Sequence, residues 1–476
     1  MLPICLGDKW EAWNYNEDVT ATLWNDNDHY TSKKSMRHEA AMLQTHPSML
    51  AFLVGSDYWP SDRATATYVE ALNGLDWPNP VICSAAKRGY PDILGPSGLK
   101  MNGPYDWVPP NYWYDGDQLG SAFGFGSELG AGVGTPEIGS LRKFLSESDM
   151  QDLWTKPKKG LYHMSTNASQ FHDRKIYNNG LYNRYGDPTS LEDYLFKAQI
   201  MDYEATRAEY EAYAANWNAN RPATGLIYWM LNNAWPSLHW NQFDYYLHPA
   251  GSYYGTKVGC RTEHVAYDYV NNAVYLINHS LNSQGQRVIE IELMDVDGHL
   301  LASSNIRVDT EPNRSTRVGA VPGVDKIKDV AFLRLILKDV DNQVLSRNVY
   351  WLASTLDTLR WGRSTWYHTP VGKYADFTAL NNMRTASIKT TIQPGSDGSS
   401  TTVAIINQAD VPAFFIRLNL IDADGQDVVP VYWSDNHVTL WPHESMKLEL
   451  SYETTTSLAT SIEVSGFNVD SNIVIA

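Results

Sequence analysis

Basic residues are in short supply. Against 54 Asp and Glu stand only 37 Lys and Arg, a formal charge of −17. That balance disfavours nucleic acid as a partner, because such binding relies on basic side chains that displace counterions. An acidic surface instead tolerates or attracts a cationic substrate. Cysteine is nearly missing: Cys5, Cys83 and Cys260 are odd in number, far apart and without metal-ligand spacing. They imply neither a disulfide framework nor a zinc site. No stretch approaches the roughly 18 apolar residues of a membrane span. Residues 1–6 lack the length and basic flank of a signal peptide. The sequons at Asn167, Asn278 and Asn313 permit secretion without arguing for it. The expectations are therefore no membrane partner, no nucleic-acid partner, and no metal or cofactor.

What is abundant is aromatic. The 17 Trp and 29 Tyr exceed what packing usually requires, and flat faces of this kind suit the apolar faces of sugar rings, although packing alone can absorb most of them. At 476 residues the chain is too long for one core, and two to four domains are expected.

Two stretches share one grammar. Residues 122–130 (AFGFGSELG) alternate aromatics and glycines, as a crowded buried strand does, and stop at Glu128 before a glycine-bearing turn. About seventy residues earlier, residues 49–57 (MLAFLVGSD) run from apolar residues through Gly55 to Asp57. A lone carboxylate at the end of a buried strand costs free energy unless it works or is paired. In a barrel of parallel strands that end is where catalytic groups collect. Two strands delivering two carboxylates to one rim are the minimum apparatus for cleaving a glycosidic bond. One protonates the leaving oxygen while the other attacks or activates water.

The order of elements supports that placement. A helix is expected over 34–46, a second from a Ser61–Asp62 cap through Leu72, and a short strand over 80–84, the alternation of a parallel α/β sheet. Residues 87–120 form a long loop too rich in aromatics for disorder. A helix is expected from 138 to about 154 and a stronger one from Ser190 to about Trp217, with Glu192 and Asp193 in its first turn. Residues 225–231 form the last strand of the series, followed by Asn232, Trp235, His239 and Trp240. Beyond about residue 258 short alternating strands take over, at 264–270, 273–278, 288–294, 332–338 and 349–352, and the style returns from 388 to the end. Asp295–Gly298, Asp339–Asn342 and Asp422–Gly425 resemble calcium loops but lack the terminal glutamate, so they are read as hairpin turns. Two β-sandwiches of roughly 100 residues fit this half.

With these residues in view, the chain resembles the exo-β-D-glucosaminidases, a subfamily of glycoside hydrolase family 2 that removes glucosamine from the non-reducing ends of chitosan oligosaccharides. The resemblance runs through almost the whole chain and is most specific at Gly55-Ser56-Asp57, at residues 100–106 (KMNGPYD), at Ser127-Glu128 and at residues 226–232 (LIYWMLN). Most of the wider family has Asn-Glu where Ser56-Asp57 stands, and the glucosaminidases have Ser-Asp.

The resemblance implies a multidomain fold. A partial TIM (β/α)8 barrel over 1–258 would be followed by immunoglobulin-like β-sandwich domains over 259–360 and 361–476. It implies Asp57 as general acid/base on the fourth barrel strand and Glu128 as nucleophile on the seventh. Asp8, Trp10, Glu11, Ser56, Asp106, Tyr112, Trp113, Trp229, Asn232, Trp235 and Trp240 are the candidate substrate-binding residues, and His239 is read as a hydrogen-bonded structural histidine. For Asp8, Glu11 and Asp106 the competing reading is a structural carboxylate; for the aromatics it is core packing.

The chain is expected to act as a monomer on chitosan or another β-linked oligosaccharide. Family members are secreted, while this chain carries no export signal. It begins near the third barrel strand and reads as a fragment or a mis-started gene model. In relatives Gly-Trp-Glu-Cys-Cys precedes Asp-Lys-Trp-Glu; here residues 3–7 read PICLG, so a glutamate well placed for an ammonium group is missing. The rival readings are a β-mannosidase-type member of the same family and an inactive carbohydrate-binding fragment.

Overall fold

The computed structural model describes residues 24–55, 59–85, 89–100, 102–115, 118, 120–159, 169–395, 400–452 and 461–475. They fall into two compact units. One holds the described residues up to Asn102 together with Gly124–Leu129 and Gly225–Ile227; the other holds Gly103–Phe123, Gly130–Thr224 and the chain from Tyr228 onward.

In the first unit α1 (Asp26–Leu43), β1 (Phe52–Leu53), α2 (Asp62–Asn73), β2 (Val81–Ile82) and β3 (Leu99–Lys100) follow one another. β1 pairs with β2 in parallel, and β3 pairs in parallel with β4 (Gly124–Leu129). β4 lies between β3 and β5 (Ala223–Tyr228). The core gathers Met36 and Ala40 of α1, Phe52 and Val54, and Ala64, Tyr68, Ala71 and Leu72 of α2.

α1 starts at Asp26, earlier than expected. Its start is set by a reciprocal cap: the Asn25 side chain accepts from the backbone N–H groups of Asn27 (2.8 Å) and Asp28 (3.2 Å), and the Asp28 carboxylate accepts from Asn25 N–H (2.9 Å). The first two turns carry almost no apolar residue, so periodicity does not reveal them. α2 is capped by Ser61 as expected.

The second unit is arranged around α6 (Leu191–Ala215), preceded by α3 (Ile138–Leu141), α4 (Glu147–Thr155) and α5 (Lys175–Tyr185) and followed by α7 (Gly251–Gly259). The helix expected from 138 to 154 is thus two, divided where Ser146 caps α4. Every residue of α6 from Lys197 to Glu209 is buried, so its charges need internal partners. Glu204 pairs with the buried Arg184. Arg207 donates to Asn348 Oδ1 (3.0 Å) and Val349 O (2.5 Å). Glu211 accepts from His264 (2.7 Å), Asn348 (2.6 Å) and the Tyr350 hydroxyl (2.8 Å). α7 lies against α6 through Gly251 and Gly255. A β-carbon on Gly255 would stand 2.2 Å from Tyr203 O, and one on Gly251 2.4 Å from Gln199 O.

From Glu263 on the structure is two antiparallel β-sandwiches. The first stacks a sheet of Arg314–Ala320, Ala273–Asn278 and Glu263–Asp268 on one of Val344–Ala353, Val330–Lys338, Gly285–Asp295 and Leu300–Thr310. The second has sheets of Ile388–Pro394, Ser400–Asn407, Ser445–Tyr452 and Val431–Trp433, and of Val438–Leu440, Ala413–Ile421, Ser461–Gly466 and Val469–Ile475. Asp295, Asp339 and Asp422 each bind backbone N–H groups of their own turns, which occupies these carboxylates locally.

Candidate active site

In the first unit Glu128 is the penultimate residue of β4, half-buried between the buried Ser127 and Leu129. The crowding inferred for this strand is real: a β-carbon on Gly225 of β5 would lie 2.9 Å from the Phe125 ring. Gly124 has φ +64°, a backbone state open to glycine and strained for other residues. The candidate acid/base Asp57 and its neighbour Ser56 lie outside the described residues, as do Asp8, Trp10 and Glu11.

The remaining candidates belong to the second unit. Asp106 is buried, and its Oδ1 accepts from Trp107 N–H (2.8 Å). Burial pushes its carboxyl up to about 7, against the pull of that N–H and of the Arg174 guanidinium. Trp229 and Trp240 are half-buried and meet edge to face at 6.4 Å, and the Trp240 indole donates to Tyr105 O (2.7 Å). Trp235 is 54% exposed, and Asn232 is also open to solvent.

Three readings change. Trp113 is fully buried and Tyr112 nearly so, stacked on Trp361 at 4.9 Å and edge-on to Trp113 at 5.0 Å. A ring with no open face cannot stack on a sugar, so both are packing residues. His239 is buried, but neither ring nitrogen has a hydrogen-bond partner; its neighbours are Phe171 and Trp240, 4.4 Å away in the latter case. Burial pushes it down to about 3, so it is neutral across the working pH range.

The structure adds aromatics the sequence reading passed over. Phe171 and Trp366 join Tyr105 and Trp240 in one cluster, and Trp366 is 58% exposed. The backbone carbonyl of Tyr367 accepts from Tyr105 N–H (2.9 Å) and Asp106 N–H (3.0 Å), tying this distant segment to the 102–115 loop. The available signal was the run of aromatics over 361–374, whose long separation in sequence concealed the contact.

Buried polar groups fix the loops. Asp202 Oδ2 accepts from Gly134 N–H (3.1 Å) and Thr135 N–H (2.7 Å). Arg174 donates to Thr135 Oγ1 (2.8 Å) and to Leu238 O, and Asn241 donates to Gly134 O and Ser237 O, both at 3.1 Å. The segment after Glu128 and the one carrying His239 and Trp240 are thereby held to each other within the second unit.

Family models match the two sandwiches: a mannosidase Ig/CBM-like domain over residues 271–355 and an exo-β-D-glucosaminidase Ig-fold domain over 366–469. An exo-β-D-glucosaminidase of Hypocrea jecorina is 57% identical over 98% of this chain and 54% of its own length. One of Streptomyces avermitilis is 39% identical over 97% of this chain and 52% of its own length. The crystal structure of the Amycolatopsis orientalis exo-chitosanase CsxA superposes with a TM-score of 0.93 at 37% identity, over 98% of this chain and 56% of that one. These matches define a multidomain protein of glycoside hydrolase family 2 with immunoglobulin-like domains. Within it, the chain belongs to the exo-β-D-glucosaminidase subfamily. The chain spans about half the length of the curated relatives it matches.

Proposed function

We propose that the protein is a retaining exo-β-D-glucosaminidase acting on the non-reducing ends of chitosan-type oligosaccharides. In this reading β1 to β5 and their helices are part of a (β/α)8 barrel over residues 1–258, with sandwich domains over 259–360 and 361–476. The observation that carries it is Glu128, a half-buried carboxylate one residue from the end of a strand paired in parallel, in a chain 57% identical to an exo-β-D-glucosaminidase. Solved variants of the Amycolatopsis enzyme replace an aspartate or a glutamate by alanine and hold PNP-β-D-glucosamine. The interval between those two positions differs by one residue from that between Asp57 and Glu128.

Asp57 gives its proton to the leaving glycosidic oxygen as the Glu128 carboxylate attacks the anomeric carbon and the C–O bond breaks. Asp57, now ionised, takes a proton from water; the water attacks the glycosyl-enzyme and Glu128 leaves with its electron pair. Two inversions return the β-anomer. Half-exposed Trp229 and Trp240, with Trp235 and Trp366, offer ring faces to sugar, and Asn232 a hydrogen-bonding amide. A polymeric substrate fits secretion, and among the described residues no helix is long and apolar enough to cross a membrane.

The test is made in the full-length protein with aryl β-glucosaminide, aryl β-mannoside and chitosan oligosaccharides. Glucosaminide is expected to be preferred, with the β-anomer appearing first by proton NMR. Asp57→Ala is expected to lose far more rate on oligosaccharides than on an aryl glycoside with a good leaving group, and azide is expected to restore part of the latter. Equal losses with no azide effect, or the α-anomer first, reject these roles.

A further inference from the structure

Away from the candidate catalytic residues, three open cavities of about 260, 390 and 520 Å³ share Val469 as a lining residue, where the last hairpin of the second sandwich meets the start of α6. The smallest is lined by the apolar Ile138, Leu195 and Phe196 and by the polar Glu137, Arg417 and His437, among others. Its polar end is unfinished. Arg417 Nε holds Glu137 Oε2 (3.1 Å) and its Nη1 holds Glu463 (3.3 Å). Glu137 Oε1 has no hydrogen-bond partner, and the nearest ring nitrogen, His437 Nε2, stands 4.0 Å away. His437 is only 4% exposed, Glu137 only 5%, and the buried Nδ1 of His437 has no hydrogen-bond partner. Buried polar atoms are rarely left so unless something else supplies the bond.

The charge of the groove is lopsided. Six carboxylates line the smallest and largest cavities against two cations, Arg417 and Lys197, and both cations are engaged, Lys197 by Asp193 at 3.0 Å. The exposed Asp187, Glu192 and Asp470 have no ion-pair partner among the described residues.

We propose that this groove is an accessory, non-catalytic site for a β-linked amino-sugar chain, a reading that rests on the proposed substrate class. The first cavity, just under the roughly 300 Å³ at which sites for drug-sized ligands begin, takes one pyranose ring. The ring lies on Phe196 and Leu195, and its hydroxyl or ammonium group donates to Glu137 Oε1 while His437 completes the bond. Following rings carry their ammonium groups over Asp470 toward Asp187. Such a site raises the local concentration of substrate chain without new contacts at the reacting bond.

Binding of a glucosamine hexamer and of its fully N-acetylated counterpart is measured by calorimetry in full-length protein carrying Glu128→Gln to stop turnover. Hydrolysis of an aryl β-glucosaminide is measured in the same variants without that change. Asp187→Lys with Asp470→Lys, both on the surface, is expected to weaken hexamer binding about tenfold at low salt, and Glu137→Gln about threefold. Aryl-glucosaminide turnover is expected to stay unchanged. The acetylated hexamer, lacking the charges, is expected to bind at least tenfold more weakly than the hexamer. Hexamer affinity unaltered in both variants, or acetylated and free hexamers binding alike, overturns the site. A protein that leaves the aryl glucosaminide intact yet loses hexamer affinity in these variants rejects the catalytic reading and supports this one.

Discussion

Asp106 shows how a single residue can look functional in sequence and carry a cost in the fold. It stands in the KMNGPYD stretch that marks the family, yet it is only 3% exposed and bonded to the next backbone N–H. Burial raises its carboxyl to about 7, with Trp107 N–H and Arg174 pulling the other way. For a carboxyl raised on folding, the stabilisation is complete below the unfolded value near 3.9 and is lost as pH rises toward 7. Asp106→Asn keeps an acceptor for Trp107 and has no charge to bury. Its melting temperature is expected to exceed that of the parent by a margin that widens from pH 4 to pH 7 and then levels. The widening amounts to about 1.4 kcal/mol per pH unit at most. A margin independent of pH in thermal melts shows that Asp106 is not the titrating group. The strand that ends just past Glu128 was legible because alternating aromatics and glycines followed by a glycine-bearing turn read as a crowded strand and its stop. Trp366 was not, because nothing in a linear reading brings residue 366 beside residues 105 and 171.

Among the elements, α6 was legible and α7 was not, for reasons opposite to the usual ones. α6 announces itself by length and an acidic first turn capped by Ser190, although its burial on every side could not be guessed from so many charges. α7 reads GSYYGTKVG, and three glycines in nine residues suggest a loop. Spaced four apart, they instead clear one face so that the helix can approach α6. The strands Leu300–Thr310 and Arg314–Ala320 escaped notice because they are largely exposed and their apolar alternation is weak. The glycine argument gives a prediction. Ala at position 255 has better helix propensity by about 1 kcal/mol, but its methyl would stand 2.2 Å from Tyr203 O and 2.5 Å from Thr206 Oγ1. Gly255→Ala is therefore expected to destabilise by about 1–3 kcal/mol through overpacking, read as a lower melting temperature. Gly285→Ala, which meets nothing within 4 Å but has φ +103°, is expected to cost only its backbone strain, about 1 kcal/mol. If Gly255→Ala stabilises the protein, the helices have room to part.

At the scale of the whole molecule, buried titratable groups of opposite sign set one pH profile. Burial holds five histidines below their ordinary value of 6.5: His239 to about 3, His368 to about 4, His437 well below it, and His264 and His279 below it. For His264 the Glu211 carboxylate opposes the shift, while Arg261 and Arg207 add to it. A histidine kept neutral by the fold contributes stability that is present above about 6.5 and lost as pH falls toward the folded value, because the unfolded chain takes up a proton that the folded one refuses. Asp106, Asp202 and Asp357 act in the other direction, each raised by burial and each losing stabilisation as pH rises from about 4. Five groups outweigh three below about pH 6.5, so the melting temperature is expected to rise with pH there and unfolding to take up protons. Above that point the histidines lose their protons in the unfolded chain as well, so the rise slackens and levels off by about pH 7.5. Calorimetry in buffers of different ionisation enthalpy measures the protons directly. Replacing the buried, unbonded His239 with Asn is expected to lower the uptake at pH 5 by about one proton, and Asp106→Asn to raise it by about one. Proton release on unfolding at pH 5.5, or an uptake there that His239→Asn leaves unchanged, contradicts the assignment of these histidines as neutral in the fold.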